Sequence, residues 1–189
     1  DRFKLIVNKN KRYALGNIVS VLQSQCTEEE SVNIILDGDD WLSSPYVLPY
    51  LNEVYCRNNC LMTYGTYVYY PNGNIGVEPS KYPNEVIENN LFRQDRWRAS
   101  HLRTFKTKLW NNIDLEDLKD DDNDYYKTAY DQALMLPLLE LSGHRSLYID
   151  RVMHVYNRQN PLNVDKVKQK LQYSTALKIR AKKPYERKY

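Results

Sequence analysis

The sequence lacks long apolar runs. No stretch approaches the roughly 18 apolar residues that a transmembrane helix needs. The first residues, DRFKLIVNKNKRY, have neither the apolar stretch nor the small-residue cleavage site of a signal peptide. Because the chain begins with Asp1 rather than Met, we expect a further segment of the protein before it. These observations predict a cytoplasmic protein.

Cysteine is also scarce. Cys26, Cys56 and Cys60 form no CxxC pair and have no histidine nearby in the sequence. An odd number of cysteines with this spacing argues against both a disulfide framework and a zinc site. We therefore expect a reducing compartment, and we expect Cys56 and Cys60, one helical turn apart, to serve as buried packing residues.

Charge is unevenly distributed, although the formal net charge is only +3. Residues 93–108 carry six Lys or Arg and one Asp, whereas residues 114–131 carry eight Asp or Glu and two Lys. Residues 166–189 carry nine Lys or Arg and one Glu. The two basic segments are candidate surfaces for an anionic partner.

Strand-like and helix-like patterns alternate along the chain. Residues 2–7 and 32–37 are short apolar runs that predict strands, with a helical pattern between them. Residues 61–70 predict another strand, followed by a PNGN turn at 71–74, and residues 146–156 predict a last strand. Because parallel strands need crossover helices, this alternation predicts an α/β fold with a mostly parallel central sheet flanked by helices.

Three further segments have helical periodicity: residues 45–57, 128–141 and 165–183. The last of these is basic and amphipathic. We therefore predict one domain over residues 1–165 and a basic C-terminal helix or tail over residues 166–189. This tail is a candidate for peripheral contact with an anionic membrane surface, and a solvated helix is the alternative interpretation.

Three carboxylates follow a predicted strand in the string ILDGDDWL, at Asp37, Asp39 and Asp40. Strand ends in α/β sheets are where ligands bind. Like charges this close repel unless a cation neutralises them, and oxygen ligands favour Mg²⁺ or Mn²⁺, which usually hold phosphates. The alternative is an Asp-Gly turn in which Asp40 or Ser43 caps the next helix.

At this string the sequence resembles the metal-dependent glycosyltransferases of the GT-A fold, a Rossmann-like fold, and specifically their family 2. Asp37-Gly38-Asp39-Asp40 matches the family's Asp-x-Asp motif. The resemblance continues, in the family's order, through HLRTF at 101–105, an acid at a helix start in YDQA at 130–133, and YNRQNPLN at 156–163. It covers about residues 1–165, and it implies that the family's N-terminal strand and helix, which hold the nucleotide base, are missing from this chain.

The resemblance implies transfer of a hexose from a nucleotide-diphosphate sugar, most often a UDP sugar, to a hydroxyl of a glycan, protein or small molecule. Inversion at the anomeric carbon is usual in the family. Asp39 would bind the metal, Asp37 would lie near the metal or the ribose, and Asp40 would support them. Asp131 would be the general base, although an acid at a helix start also interacts favourably with the helix dipole. Family members commonly have Glu-Asp where this chain has Tyr130-Asp131.

Basic residues and a histidine complete the predicted site. Arg98, His101 and Arg103 lie in a segment rich in arginine and aromatic residues, which could clamp the donor diphosphate. The same composition suits a nucleic-acid groove or a solvated basic loop. His154 is a candidate third metal ligand, and a buried core histidine is the alternative.

Functions of different classes remain open. The first is a glycosyltransferase that depends on Mn²⁺ or Mg²⁺ and has no nucleic-acid partner. The second is a non-catalytic module on a degenerate glycosyltransferase fold, whose basic segments around Trp97 and Lys182 bind RNA or an anionic glycan in a salt-sensitive manner. A nucleotidyltransferase would use the same acids, but the sequence has no glycine-rich phosphate loop.

Overall fold

The structure is a computed structural model that describes residues 3–161 and 167–189. The predicted boundary between residues 165 and 166 lies outside the described residues, as do the last two residues of YNRQNPLN. In chain order, the main elements are α1 (Tyr13–Gln25), β1 (Val32–Ile35), β2 (Trp41–Leu42), α2 (Val47–Arg57), β3 (Met62–Tyr70), α3 (Asn84–Glu88), β4 (Arg103–Lys106), α4 (Thr107–Trp110), α5 (Tyr130–Ser142), β5 (Ser146–Asn157) and α6 (Gln169–Ala181).

The five strands form one mixed sheet in the order β1-β4-β3-β5-β2. The prediction of an α/β fold is confirmed, but the prediction of a mostly parallel sheet is wrong, because three of the four strand pairs are antiparallel. The predicted strands β1, β3 and β5 do run in one direction. The difference arises from two short strands that the sequence did not predict: β4 lies between β1 and β3, and β2 lies at the edge, both in the opposite direction.

The strand expected over residues 2–7 is not formed by its described part, residues 3–7. Phe3 and Leu5 are 80% and 73% exposed. A strand needs a partner for its backbone N–H and C=O groups, and within the described residues no strand pairs with this segment. Its apolar composition alone therefore led to the wrong prediction of a strand.

Two apolar cores cover the two faces of the sheet. The larger one contains α1 and α5, with residues from β3 and β4 such as Met62 and Phe105. Every residue of α5 from Ala133 to Ser142 is buried, as expected for a helix that is apolar on all sides. The smaller core holds α2 against the opposite face. This layering places the first turn of α5 beside the face of β4 that carries Arg103.

The basic helix α6 packs against the rest of the protein. Ile179 is buried, and the Arg180 guanidinium donates to Gln132 Oε1 and to the backbone carbonyls of Arg93 and Asp95. The predicted helix over 165–183 thus corresponds to α6 at Gln169–Ala181. None of the helices in the described part of the chain has both the length and the apolar content to cross a membrane.

Candidate active site

Arg103 lies at the centre of the candidate site. Its side chain is 2% exposed. Arg103 pairs with Ile35 of β1, and Ile35 lies two residues before residues 37–40, which we call the acidic loop. Its Nη2 donates to Asp37 Oδ2 at 3.2 Å and to the Tyr130 hydroxyl at 3.1 Å. It also lies 3.1 Å from His101 Nδ1. One guanidinium nitrogen therefore connects β4, the acidic loop and α5.

The pKa values of Arg103 and His101 shift in opposite directions. Burial alone would lower the pKa of Arg103, yet the nearby Tyr130 hydroxyl and the carboxylates of Asp37 and Asp131 raise it. Burial lowers the pKa of His101 well below its usual value, and Arg103 lowers it further. Because arginine only donates, the neutral His101 ring accepts through Nδ1 and carries its proton on Nε2.

Tyr130 connects the first turn of α5 to the acidic loop. Its hydroxyl donates to Asp37 Oδ1 at 2.5 Å, across 93 residues of sequence. The Arg103 guanidinium lies over its ring, 5.1 Å from the centroid. Burial raises the pKa of Tyr130, which keeps the phenol protonated as a donor. Both Asp37 oxygens thus have partners, and the Asp37 side chain is still 29% exposed.

Asp131 follows Tyr130 in the first turn of α5. Desolvation raises the pKa of its carboxyl, and Arg103 opposes this rise. A higher pKa makes the carboxylate a better proton acceptor, which is the property that a general base needs. The preceding Ala129 has φ of +50°, a left-handed conformation that costs a non-glycine residue about 1 kcal/mol. Such strain is concentrated at functional sites.

Asp40 faces a buried pair of histidines. Its Oδ2 lies 2.8 Å from His154 Nε2, and its Oδ1 accepts from the Asn157 backbone N–H at 2.8 Å. The rings of His101 and His154 are stacked, with centroids 4.2 Å apart. His154 Nδ1 is buried without a hydrogen-bond partner. Asp40 therefore holds β5 to the acidic loop, as a supporting residue would.

One group of possible metal ligands occurs in residues 3–161 and 167–189. It consists of Asp40, His101 and His154, whose ligand atoms all lie within 4.8 Å of one another. Two imidazoles and one carboxylate suit transition metals better than Mg²⁺. Asp37 and Asp39, which the sequence analysis names as metal ligands, contribute no atom to this group.

Asp39 points away from the buried part of the site. It is exposed, and its Oδ2 accepts from Asn160 Nδ2 at 2.5 Å. Of the three loop acids it is therefore the one most open to a ligand from solvent. The loop is closed by a turn in which the Asp40 N–H donates to the Asp37 carbonyl at 3.1 Å.

Arg98, a predicted diphosphate clamp, is held by other partners. Its guanidinium forms a two-point pair with Asp95, with Nε 2.6 Å from Oδ2, and donates to Ser80 Oγ at 3.0 Å. It also lies over the Tyr82 ring. These contacts do not join Arg98 to the acidic loop, whereas the predicted residues Asp37, His101, Arg103 and Asp131 do come together.

The sequence analysis missed an aromatic cluster beside the histidines. It consists of Tyr67 and Tyr69 of β3 and Tyr156 of β5, whose ring centroids are 5.1–5.9 Å apart. A register irregularity from Gly65 to Tyr67 precedes it, and the Tyr67 ring contacts His101 edge-on. Bulges often redirect side chains near active sites. The apolar run at 61–70 predicted the strand but not this change of face.

The sequence was also compared with known proteins. No protein-family model matches the chain, and no curated protein matches it. The case for a function therefore depends on the site itself.

Proposed function

We propose that this chain is a metal-dependent glycosyltransferase domain of the GT-A type that transfers a sugar from a nucleotide diphosphate to an acceptor hydroxyl. The observation that carries the proposal is the contact between the acidic loop and the first turn of α5. Asp37 and Asp131 lie far apart in the chain. Arg103 and Tyr130 both form hydrogen bonds with Asp37, and Tyr130 directly precedes Asp131 in α5. A carboxylate of raised pKa beside an acidic loop suits acid–base chemistry on a phosphate-bearing substrate.

In this proposal Asp131 accepts the proton of the acceptor hydroxyl. As that proton leaves, the hydroxyl oxygen forms a bond to the anomeric carbon of the donor sugar. The bond from the anomeric carbon to the diphosphate oxygen breaks, and its electron pair leaves with the diphosphate. The raised pKa of Asp131 favours the proton transfer. Attack opposite the leaving group inverts the anomeric carbon, as in the family that the sequence resembles.

The loop acids fit a divalent cation, Mn²⁺ or Mg²⁺. Asp39 is exposed, and Asp37 is partly exposed with lone pairs left on both oxygens, so each carboxylate is open to a cation that also binds phosphate oxygens. Such a cation would neutralise charge on the departing diphosphate. His154 is fully buried beside Asp40 and belongs to the other group of possible metal ligands, with Asp40 and His101, so its role as a ligand stays a prediction.

The proposed donor is a UDP sugar, and the proposed acceptor is a glycan, a protein or a small molecule. A mostly antiparallel sheet does not argue against the GT-A type, because β1, β3 and β5 share one direction and the acidic loop follows β1. A reducing, cytoplasmic location is part of the proposal. Cys60 is buried, as the sequence predicts, but Cys56 is exposed, so the prediction that it is a buried packing residue is wrong.

The alternative of a polyanion-binding module has less support. Several cations of its two basic segments are used inside the protein. Arg98 pairs with Asp95, Arg180 donates to Gln132, and Lys182 donates to the Asp117 backbone carbonyl at 2.8 Å. The pair with Asp95 neutralises Arg98, and the other two contacts keep their charges but hold the side chains against the protein, where they are less free to reach an RNA or an anionic glycan.

Calorimetric titration of UDP tests the proposal. We expect the wild type to bind UDP with Mn²⁺ present and to bind it at least tenfold more weakly without Mn²⁺. We expect Asp39→Ala to lose this dependence on the metal. The control is Asp122→Ala, which removes an exposed acid from another loop and should bind as the wild type does. UDP binding that is the same with and without Mn²⁺, or unchanged in Asp39→Ala, would contradict the proposal.

A further inference from the structure

Building on the proposed function, we propose that Tyr130 and Arg103 are positioning residues that hold Asp37 in a fixed place relative to Asp131. We call these two residues the clamp. The sequence predicts that Arg103 binds the donor diphosphate, whereas the clamp gives it a different role. Tyr130 gains a role that no sequence motif indicated. The clamp acts on the reaction through the two carboxylates.

The first argument is burial. Arg103 is 2% exposed, and one of its terminal nitrogens is shared among Asp37, His101 and Tyr130. An arginine that clamps a diphosphate presents its fork to the ligand. Here Nη2 is directed to protein groups, and Nε is buried without a hydrogen-bond partner among the described residues. Arg103 therefore contributes to a donor complex through the groups that Nη2 holds.

Second, Tyr130 and Arg103 bind different oxygens of Asp37. Tyr130 takes Oδ1 and Arg103 takes Oδ2, so that a carboxylate with four acceptor sites is fixed at both oxygens. The Arg103 guanidinium also lies over the Tyr130 ring, which ties the two partners to each other. Asp37 thereby keeps one orientation at the start of the loop, whereas Asp39 and Asp40 are bonded to residues in and after β5.

The third argument is the place of Tyr130 in the chain. It is the first residue of α5, directly before Asp131, and the rest of α5 is packed in the larger core. A hydrogen bond from Tyr130 to the acidic loop therefore fixes the loop against a helix that is buried from Ala133 to Ser142. Misplacement of a reacting group by about 1 Å can cost on the order of 100-fold in rate.

The test compares steady-state kinetics of the wild type with those of Tyr130→Phe and Arg103→Lys, following UDP release from a UDP sugar. Tyr130→Phe removes one oxygen and keeps the ring, and Arg103→Lys keeps the charge and loses the fork. We expect kcat to fall roughly 10- to 100-fold in both variants, with KM for the donor within about threefold of the wild type.

The matched control is Tyr148→Phe. The Tyr148 hydroxyl is bonded to Thr66 Oγ1 at 2.8 Å, and neither residue contacts the acidic loop through this bond. Tyr148→Phe removes one phenolic hydroxyl and its part-buried hydrogen bond, whereas Tyr130→Phe removes the bonds to both Asp37 and Arg103. The control should keep the wild-type kcat. If Tyr130→Phe behaved like Tyr148→Phe, the clamp would be refuted. A rise in KM at constant kcat in Arg103→Lys would show that Arg103 binds the donor instead.

Hydrogen–deuterium exchange tests the clamp without any turnover. We expect backbone amides of residues 36–40 to exchange at least tenfold faster in Tyr130→Phe than in the wild type, and at the wild-type rate in Tyr148→Phe. Equal exchange in all three proteins would overturn the clamp. A wild type that turns over no UDP sugar would instead count against the proposed function, and the exchange data would still decide on the clamp. If Arg103→Lys does not fold, Tyr130→Phe alone gives the decision.

Discussion

Replacing Asp131 by Asn is the sharpest test of the chemistry. The substitution conserves shape and removes the proton acceptor. Positioned general bases contribute about 10²- to 10⁴-fold to rate, which corresponds to about 2.7–5.4 kcal/mol of barrier. We expect kcat for transfer from a UDP sugar to fall within this range. KM for the donor should change little, because Asp131 is assigned to the acceptor hydroxyl.

The stability of Asp131→Asn should not fall. A carboxyl whose pKa is higher in the folded than in the unfolded state makes the fold less stable as pH rises from the unfolded pKa, about 3.9, through the folded one. At neutral pH the ionised Asp131 is therefore a cost, and the neutral Asn removes it. Urea denaturation should give a free energy of unfolding equal to or above that of the wild type, so that lost activity cannot be ascribed to unfolding.

The pH profile adds an independent measurement. Asp131 acts as a base only when it is ionised, so kcat/KM of the wild type should fall as pH falls through its raised pKa. Asp131→Asn should lack this limb in its residual activity. Asp122→Asn, an exposed acid in another loop, should keep both the rate and the limb. An Asp131→Asn enzyme within fivefold of the wild-type kcat would refute the assignment of the base.

Two further predictions concern the groups around the site. Because burial lowers the pKa of His101, the free energy of unfolding of the wild type should fall as pH falls below 6.5. In urea denaturation from pH 7 to 5.5, we expect a fall of about 1.2 kcal/mol relative to His101→Asn, whose amide oxygen can replace Nδ1. Parallel pH curves for the two proteins would contradict this prediction. Glu140→Gln should lower the free energy of unfolding by about 3–5 kcal/mol in the same assay, because it leaves Arg93 buried without its carboxylate partner at 2.5 Å. The control, Glu53→Gln, breaks an exposed pair with Arg57 and should lower it by less than about 1 kcal/mol. Equal losses in the two variants would contradict the prediction.

The longer elements could be predicted because their patterns report burial directly. The apolar strands β1, β3 and β5 and the mostly apolar helix α5 lie where the periodicity indicates them. The short strand β4 could not be predicted this way. Its sequence, RTFK, has two charged residues in four, and it is a strand because β1 and β3 pair with its two edges. That pairing is a tertiary event, and it changes the sheet from mostly parallel to mostly antiparallel.

Several site residues could be named from residue type and order. Asp37, His101, Arg103 and Asp131 are indeed neighbours in the fold. Their roles depend on burial and on partners, which residue type does not indicate. Arg98 and Arg103 lie in the same basic string, yet Arg98 forms a partly buried pair with Asp95, and Arg103 is enclosed by the acidic loop and α5. Which of two arginines is enclosed depends on which one starts β4.

Tyr130 shows why the connection itself was missed. A search of a sequence for chemistry selects groups that carry charge or titrate near neutral pH, and a tyrosine at a helix start satisfies neither condition. Its importance comes from being uncharged. Burial keeps the phenol protonated, so it can donate to Asp37 where a second carboxylate would repel it. A neutral donor at the junction of an acidic loop and a basic side chain is therefore the residue type to look for when the acids of a site lie far apart in the chain.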